Sequence, residues 1–291
     1  MHGPASPGRV HAQRARAAGP VGSLRRMTPE LTHLRLDRPE DGVVVLTLDN
    51  PQQRNAMSDE MTASWVSAMD DLAGDPTVRV VVVTGEGSAF CSGGNTGWIA
   101  GEPDASVDHL RTRMIAFYRA WLSIRRLEVP TIAAVNGPAI GAGLCLALAC
   151  DLRYGASGAR LGVPFVRLGM HAGMAATYLL PNVVGHAHAR DLLLTGRTVD
   201  AEEALRLGLV SAVLPAEGFL DRVLDTARGI AATAPIASRL TTVALRDGGH
   251  ADFDSAVQWE ALAQPLTLAT ADLQEGVRAA REKRRPEFTG R

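Results

Sequence analysis

Residues 130–149 read Pro130-Thr-Ile-Ala-Ala-Val-Asn-Gly-Pro-Ala-Ile-Gly-Ala-Gly-Leu-Cys-Leu-Ala-Leu-Ala149, and three local signals follow one another in them. Pro130 has no N–H to give a β ladder, so it opens the apolar run Thr131 to Val135 rather than interrupting it, and that run predicts a strand. Asn136-Gly137-Pro138 ends the run in a turn. Gly141 to Ala149 is then apolar on every side, which predicts a helix buried all round. A strand passed through a glycine-rich turn into a buried helix is the building block of an α/β protein.

The same alternation extends in both directions. Gly42 to Asp49 and Val78 to Thr84 are β-branched runs closed by Asn50-Pro51 and by Gly85-Glu86-Gly87, and both predict buried strands. Between them, Met61, Trp65, Met69 and Leu72 fall at helical spacing, with Ser58 placed as the N-cap of a helix over 58–73. Leu110, Met114, Phe117, Trp121 and Ile124 predict a further helix over 108–127, and Leu152 to Ala156 another short strand. Alternating units of this kind argue for parallel strands. From Phe219 onward the strand signal stops, and helices are expected over 219–232, 236–246, 252–268 and 272–284. The expected organisation is therefore a tail over 1–30, an α/β body over 31–218 and a helical region over 219–291 that serves packing or oligomerisation.

A chain of 291 residues, 46% hydrophobic, is long enough for one large core. A net charge of -1 gives no electrostatic case for nucleic acid or an anionic membrane surface as partner. The longest apolar run, near 139–150, is broken by Gly141 and Gly143 and falls short of the roughly 20 residues of a membrane span. Cys91, Cys145 and Cys150 are an odd number without ligand spacing, which argues against a disulfide framework or structural zinc and fits a reducing cytoplasm. No metal is expected; His186 and His188 lack a third ligand at suitable spacing. The first 29 residues carry five arginines and no acid, and their Gly, Pro and Ala content predicts a disordered tail. They have too little serine for a transit peptide, and Met27 offers an alternative start.

Two glycine-rich loops stand between a strand and a helix: Gly87 to Asn95 and Val135 to Gly143. Glycine lets a backbone approach a ligand closely, and a helix N-terminus adds unpaired N–H groups. Two such loops brought together would make a two-donor oxyanion hole, whereas either alone can equally be a tight corner. Neither has the GxGxxG or Gly-Lys-Ser/Thr pattern of a nucleotide site.

The strings Leu48-Asp-Asn-Pro-Gln-Gln-Arg-Asn-Ala-Met57, Val82-Val-Thr-Gly85, Ala89-Phe-Cys-Ser-Gly-Gly94, Pro130 to Ala139, Ala149-Cys-Asp-Leu-Arg153, Leu193-Leu-Thr-Gly-Arg197 and Arg281 to Phe288 occur in an order that resembles the enoyl-CoA hydratase/isomerase (crotonase) family. The resemblance runs from about Val43 to Phe288. It implies a spiral of repeated ββα units with a C-terminal helical trimerisation region, a homotrimer or dimer of trimers, and an acyl-CoA thioester as partner. Coenzyme A enters as part of the substrate, so no separate cofactor is implied. Carried over position by position, the oxyanion donors fall on Gly94 and Ala142, flanked by Ser92, Gly93, Asn95 and Gly143. Arg54 and Ala56 fall where the family contacts CoA. Lys283, the only lysine, falls where members place a CoA-facing base, or is a solvated charge among arginines.

The family's two hydratase glutamates fall on Cys145 and Phe165, so both carboxylates are missing. Between Glu128 and Asp191 the only acid is Asp151, in a stretch the family keeps as structure. His171, in the loop after Phe165, is the candidate proton carrier, or a loop residue with a structural role. Cys145 sits in an apolar helix that favours an inert thiol over a nucleophile. Phe165, Trp98, Trp121 and Tyr178 are expected to shape an apolar acyl pocket. The alternatives to hydratase/isomerase chemistry are decarboxylation, C–C hydrolysis, or acyl-CoA binding without catalysis.

Overall fold

The computed structural model describes residues 3, 31–95, 97, 101–246 and 252–291. The expected tail over 1–30 lies, apart from residue 3, outside the described residues, and so does Trp98. Strands β1 (Leu34–Glu40), β2 (Val43–Leu48), β3 (Val80–Gly85) and β4 (Thr131–Val135) are followed by β5 (Ala139–Ile140), β6 (Leu152–Ala156), β7 (Arg160–Gly162), β8 (Thr198–Asp200) and β9 (Ala212–Leu214). They form a six-stranded sheet in the order β1-β2-β3-β4-β6-β9 and a three-stranded sheet β5-β7-β8. In the large sheet only β1 is antiparallel.

Buried on both faces, the central strands divide their side chains by alternation. Val44, Leu46, Val81, Val83, Ala133 and Val135 join the main core, while Val43, Val45, Val80, Val82, Ile132 and Ala134 face a second cluster. The main core is closed by helices α1 (Asp59–Ala73), α2 (Val107–Trp121) and α3 (Ala142–Ala149). As expected from the sequence, α1 is capped by Ser58, whose side chain accepts from the Met61 N–H at 3.2 Å. It packs on α2 through Trp65 and Trp121, stacked at 4.9 Å. Trp121 is fully buried there and donates its indole N–H to Thr62 Oγ1 at 3.0 Å. It therefore belongs to the core and not to an acyl pocket. The helix expected over 108–127 stops at Trp121 and continues as a 3-10 turn over Leu122–Arg126.

Two further helices, α4 (Ala176–Thr195) and α5 (Ala201–Arg206), precede β9. Helix α4 contains Pro181 and a kink at Gly185, which hide its periodicity in the sequence. After β9 come α6 (Phe219–Ala231), α7 (Pro235–Arg246), α8 (Phe253–Leu268) and α9 (Ala271–Glu282). Helix α6 lays Phe219, Val223, Leu224 and Ala227 on the second face of the large sheet. Helix α7 is anchored by Arg246, which donates to both Asp151 oxygens at 2.9 and 2.8 Å. Asp151 also accepts from the N–H and Oγ1 of Thr131 at 2.7 and 2.8 Å, so this acid is structural. No helix among the described residues is long and apolar enough to cross a membrane.

The last residues fold back on α9. Glu275 accepts from Arg284 at 2.6 and 3.0 Å and from the Glu287 N–H at 3.0 Å, and Asp272 accepts from the N–H groups of Thr289 and Gly290. Hydrogen bonds from Arg284 and Arg278 hold the Glu275 carboxyl well below the usual range. A depressed carboxyl contributes stability above its unfolded pKa and loses it as pH falls below that value. The protection of residues 284–291 against hydrogen exchange, relative to the intrinsic rate at each pH, is accordingly expected to fall below about pH 4, and Glu275→Gln is expected to lower it already at pH 7; full protection of the segment in the variant would contradict the role.

Candidate active site

The two glycine loops meet because two asparagines hold the first of them. Asn55, in the left-handed region at φ +55, accepts the Asn50 N–H at 2.9 Å and donates to the carbonyls of Glu86 and Ala89 at 2.9 and 2.8 Å. From the second loop, Asn136 donates to Gly85 O and Gly87 O at 2.8 and 3.1 Å and accepts the Gly85 N–H. The loops then run alongside each other. Phe90 and Cys91 give their N–H groups to Pro138 O at 3.1 Å, and Ile140 gives its own to Cys91 O at 2.9 Å. On the other side Met57 N–H bonds Gly93 O at 2.8 Å, and Ser92 N–H bonds Arg54 O at 3.0 Å.

Gly93 lies at φ +100, and a Cβ there would stand 2.8 Å from Ile140 O. Gly141, at φ +58 and ψ -120, turns β5 into α3 and spends its N–H on Gly162 O at 2.8 Å. Ala142 is the first residue of α3, where a helix leaves its N–H without an intrahelical acceptor. Among the described residues no hydrogen bond uses the N–H of Gly94 or of Ala142. Both residues line one cavity of about 340 Å³. Its other walls include Leu110, Met114, Phe117, Leu168 and Met174, a volume and lining suited to a small apolar ligand group.

Ser92, Gly93, Gly94, Ala142, Phe165 and His171 thus come together on this cavity. The His171 Nδ1 lies 2.7 Å from Ala172 O; a carbonyl only accepts, so Nδ1 carries a proton and Nε2 is the ring nitrogen left for a ligand. Phe165 stands against Gly141, 3.8 Å from where a Cβ would be. Gly143 and Cys145 are buried behind the cavity wall. The Cys145 thiol faces Gly173 O at 3.7 Å, and burial pushes its pKa far up. Cys91 is pushed up to about 12 for the same reason. Both are neutral thiols. Asn95, the last residue of the first loop, accepts the Gly97 N–H at 2.9 Å and, like Arg54 and Ala56, is not on the cavity lining. Lys283 is exposed at the C-cap of α9 at φ +55 and does not line the cavity.

Two aromatic expectations are corrected. Trp121 is core, and Tyr178 lines a different cavity between the sheet and α7, near Arg153 and Arg246. Phe165 does line the cavity, and the two further aromatic rings that line it are Tyr118 and Phe117. The signal for Tyr118 was present in the sequence as the i, i+4, i+8 row Leu110, Met114, Tyr118, one position off the core row Phe117 and Trp121. Among the described residues no Asp or Glu lines the cavity, and no group of three or more His, Cys, Asp or Glu is placed to hold a metal.

Comparison with known proteins bears on this geometry. The family model of enoyl-CoA hydratase/isomerase matches residues 38–291. A crotonyl-CoA hydratase of Syntrophomonas wolfei is 36% identical over 250 residues, 86% of this chain and 95% of the relative. The crystal structure of an enoyl-CoA hydratase from Bacillus anthracis superposes with a TM-score of 0.84 at 31% identity, covering 89% of this chain and all of that one. One from Polaromonas gives 0.82 at 30% identity, over 88% of this chain and 99% of the other. With the match spanning the sheet, both glycine loops and the C-terminal helices, the chain belongs to the enoyl-CoA hydratase/isomerase family and has its fold.

Proposed function

We propose that the protein binds an acyl-CoA thioester with its carbonyl oxygen on the N–H groups of Gly94 and Ala142, and uses that pair to stabilise the thioester enolate. The observation that supports this reading is that Gly94 and Ala142 line one largely apolar cavity while, among the described residues, no hydrogen bond uses the N–H of either. Preorganised donors in a water-poor site act most strongly on charge that develops during reaction. His171, with Nε2 free to accept, is the residue we assign to proton movement at the acyl group. Its Nδ1–H is held by Ala172 O. Arg54, exposed beside the first loop, is the proposed cationic contact for CoA phosphates, with Ala56 as a backbone contact and Lys283 as a second cation.

The cavity's lack of a carboxylate favours enolate chemistry other than hydration: double-bond isomerisation, decarboxylation or C–C cleavage. Helix α8 has no buried residue, and its Phe253, Leu262, Leu266 and Leu268 are exposed. That supports assembly of copies through the helical region; the trimer or dimer of trimers is what the family resemblance implies, and three free cysteines support a reducing cytoplasm.

Ala142→Pro tests the enolate reading, because proline is tolerated at the first position of a helix, where it removes the N–H and puts the ring Cδ in its place. On a panel of 3-enoyl, malonyl-type and 3-oxo thioesters followed by mass spectrometry, the wild-type protein is expected to convert at least one. The variant is expected to lose roughly 10²- to 10³-fold in turnover of it. Full activity in the variant would remove Ala142 from the mechanism; conversion of none would leave an acyl-CoA-binding protein without catalysis.

A further inference from the structure

The expected acid and base positions are filled by a buried thiol and a phenyl ring, yet a phenol reaches the same cavity. Tyr118 projects from α2 into the cavity, and its hydroxyl rests on Gly173: a Cβ added there would stand 2.4 Å from Oη and 3.1 Å from Cζ. Gly173 is therefore the seat that leaves room for the phenol. The segment that follows is held in an unusual backbone shape, with Met174 and Ala175 both left-handed at φ +52 and +55. Such strain in non-glycine residues persists where surrounding structure imposes it. Here it leaves the Met174 N–H facing the Tyr118 oxygen and the Gly173 carbonyl accepting from Ala176 N–H at 3.0 Å and from the Cys145 thiol. The phenol oxygen thus has a donor beside it, while among the described residues no hydrogen bond gives the phenol proton an acceptor. Burial raises the Tyr118 pKa, which keeps that proton in place.

The location along a bound acyl chain follows from α3. Cys145 lies three residues beyond Ala142, or about 4.5 Å along the axis. The phenol rests on Gly173, whose carbonyl accepts from the Cys145 thiol, so the two groups flank one residue. A thioester whose oxygen sits on the Gly94 and Ala142 N–H groups, with its tail running inward, brings C3 and its substituent to this level.

We propose that Tyr118 is a specificity-determining residue whose hydroxyl donates a hydrogen bond to an oxygen at C3 of the acyl group. It reads that oxygen from the position where a hydratase would place carboxylates. The assignment rests on the acyl-thioester reading above.

Isothermal titration of wild type and Tyr118→Phe with acetoacetyl-CoA and with butyryl-CoA, which lacks the C3 oxygen, tests it. The variant is expected to lose roughly ten- to a hundredfold in affinity for acetoacetyl-CoA, whose enolate makes the bond charge-assisted. Butyryl-CoA affinity is expected to stay within about twofold, since no hydrogen bond to it is lost. An equal loss for both ligands would make Tyr118 a packing residue, and no loss for either would make it a bystander; each overturns the assignment while the acyl-thioester reading stands. Failure of the wild-type protein to bind either thioester would instead remove that reading, and Tyr118 with it.

Discussion

Crotonyl-CoA hydration, followed by loss of the enoyl-thioester absorbance, is expected to run on the order of 10⁴-fold or more below that of a hydratase carrying both carboxylates. Water must be deprotonated as it attacks C3, and C2 must receive a proton. A positioned acid or base contributes roughly 10²- to 10⁴-fold for each of these steps. Neither of the two carry-over positions supplies one. Cys145 is fully buried, and the burial that raises its pKa makes it a neutral thiol near pH 7, so it offers no base. Phe165 has no proton to exchange.

Two acids that could be considered instead, Asp151 and Glu102, are committed. Asp151 is held by Thr131 and Arg246, and Glu102 pairs with Arg113 and with His109 at 3.1 Å. His171 Nε2 can accept a proton, but one group cannot serve both ends of the addition at once. Turnover equal to that of the Syntrophomonas enzyme, measured side by side, would show that another group acts as base and would refute the reading of Cys145 and Phe165.

How far this was legible in the sequence depended on whether local pattern or tertiary contact fixed each feature. Strands β2, β3 and β4 are buried on both faces and so appear as unbroken β-branched runs, and α3 as an unbroken apolar one. Strand β1 is an exposed edge with the sequence LRLDRPE, and β5, β7 and β8 are two or three residues long. Pairing, not composition, makes these strands.

The glycines announced two close backbone approaches without saying that the loops meet. That information lies in Asn55 and Asn136, whose side chains replace ladder hydrogen bonds across long sequence separations. Aromatic residues were visible but not their directions. Trp121 and Tyr118 lie three residues apart on one helix, and a single turn of that helix sends one into the core and the other to the cavity.

Gly143→Ala is expected to lower the melting temperature by roughly 6–12 °C, equivalent to about 3 kcal/mol for a chain of this size. Built on the present backbone, the new Cβ would lie 2.1 Å from Cys91 O and 2.8 Å from both Cys91 C and Cβ. No side-chain rotation relieves a clash with a carbonyl. That carbonyl accepts the Ile140 N–H at 2.9 Å, and Cys91 pairs with Ala139, so moving it breaks the contact that joins the two loops. The lost hydrogen bond and the overpacking therefore add at one point.

Gly158→Ala is the control. No atom lies within 4 Å of its would-be Cβ, and its backbone is not left-handed, so its effect is expected within about 0.5 kcal/mol. Circular dichroism melts of the two variants decide the matter, and equal melting temperatures would mean that the loops can separate without cost. In that case the spacing of the Gly94 and Ala142 N–H groups would not be fixed by the backbone. Preorganisation of the pair requires the opposite, because donors that must be gathered during reaction spend on reorganisation what they gain from the developing charge.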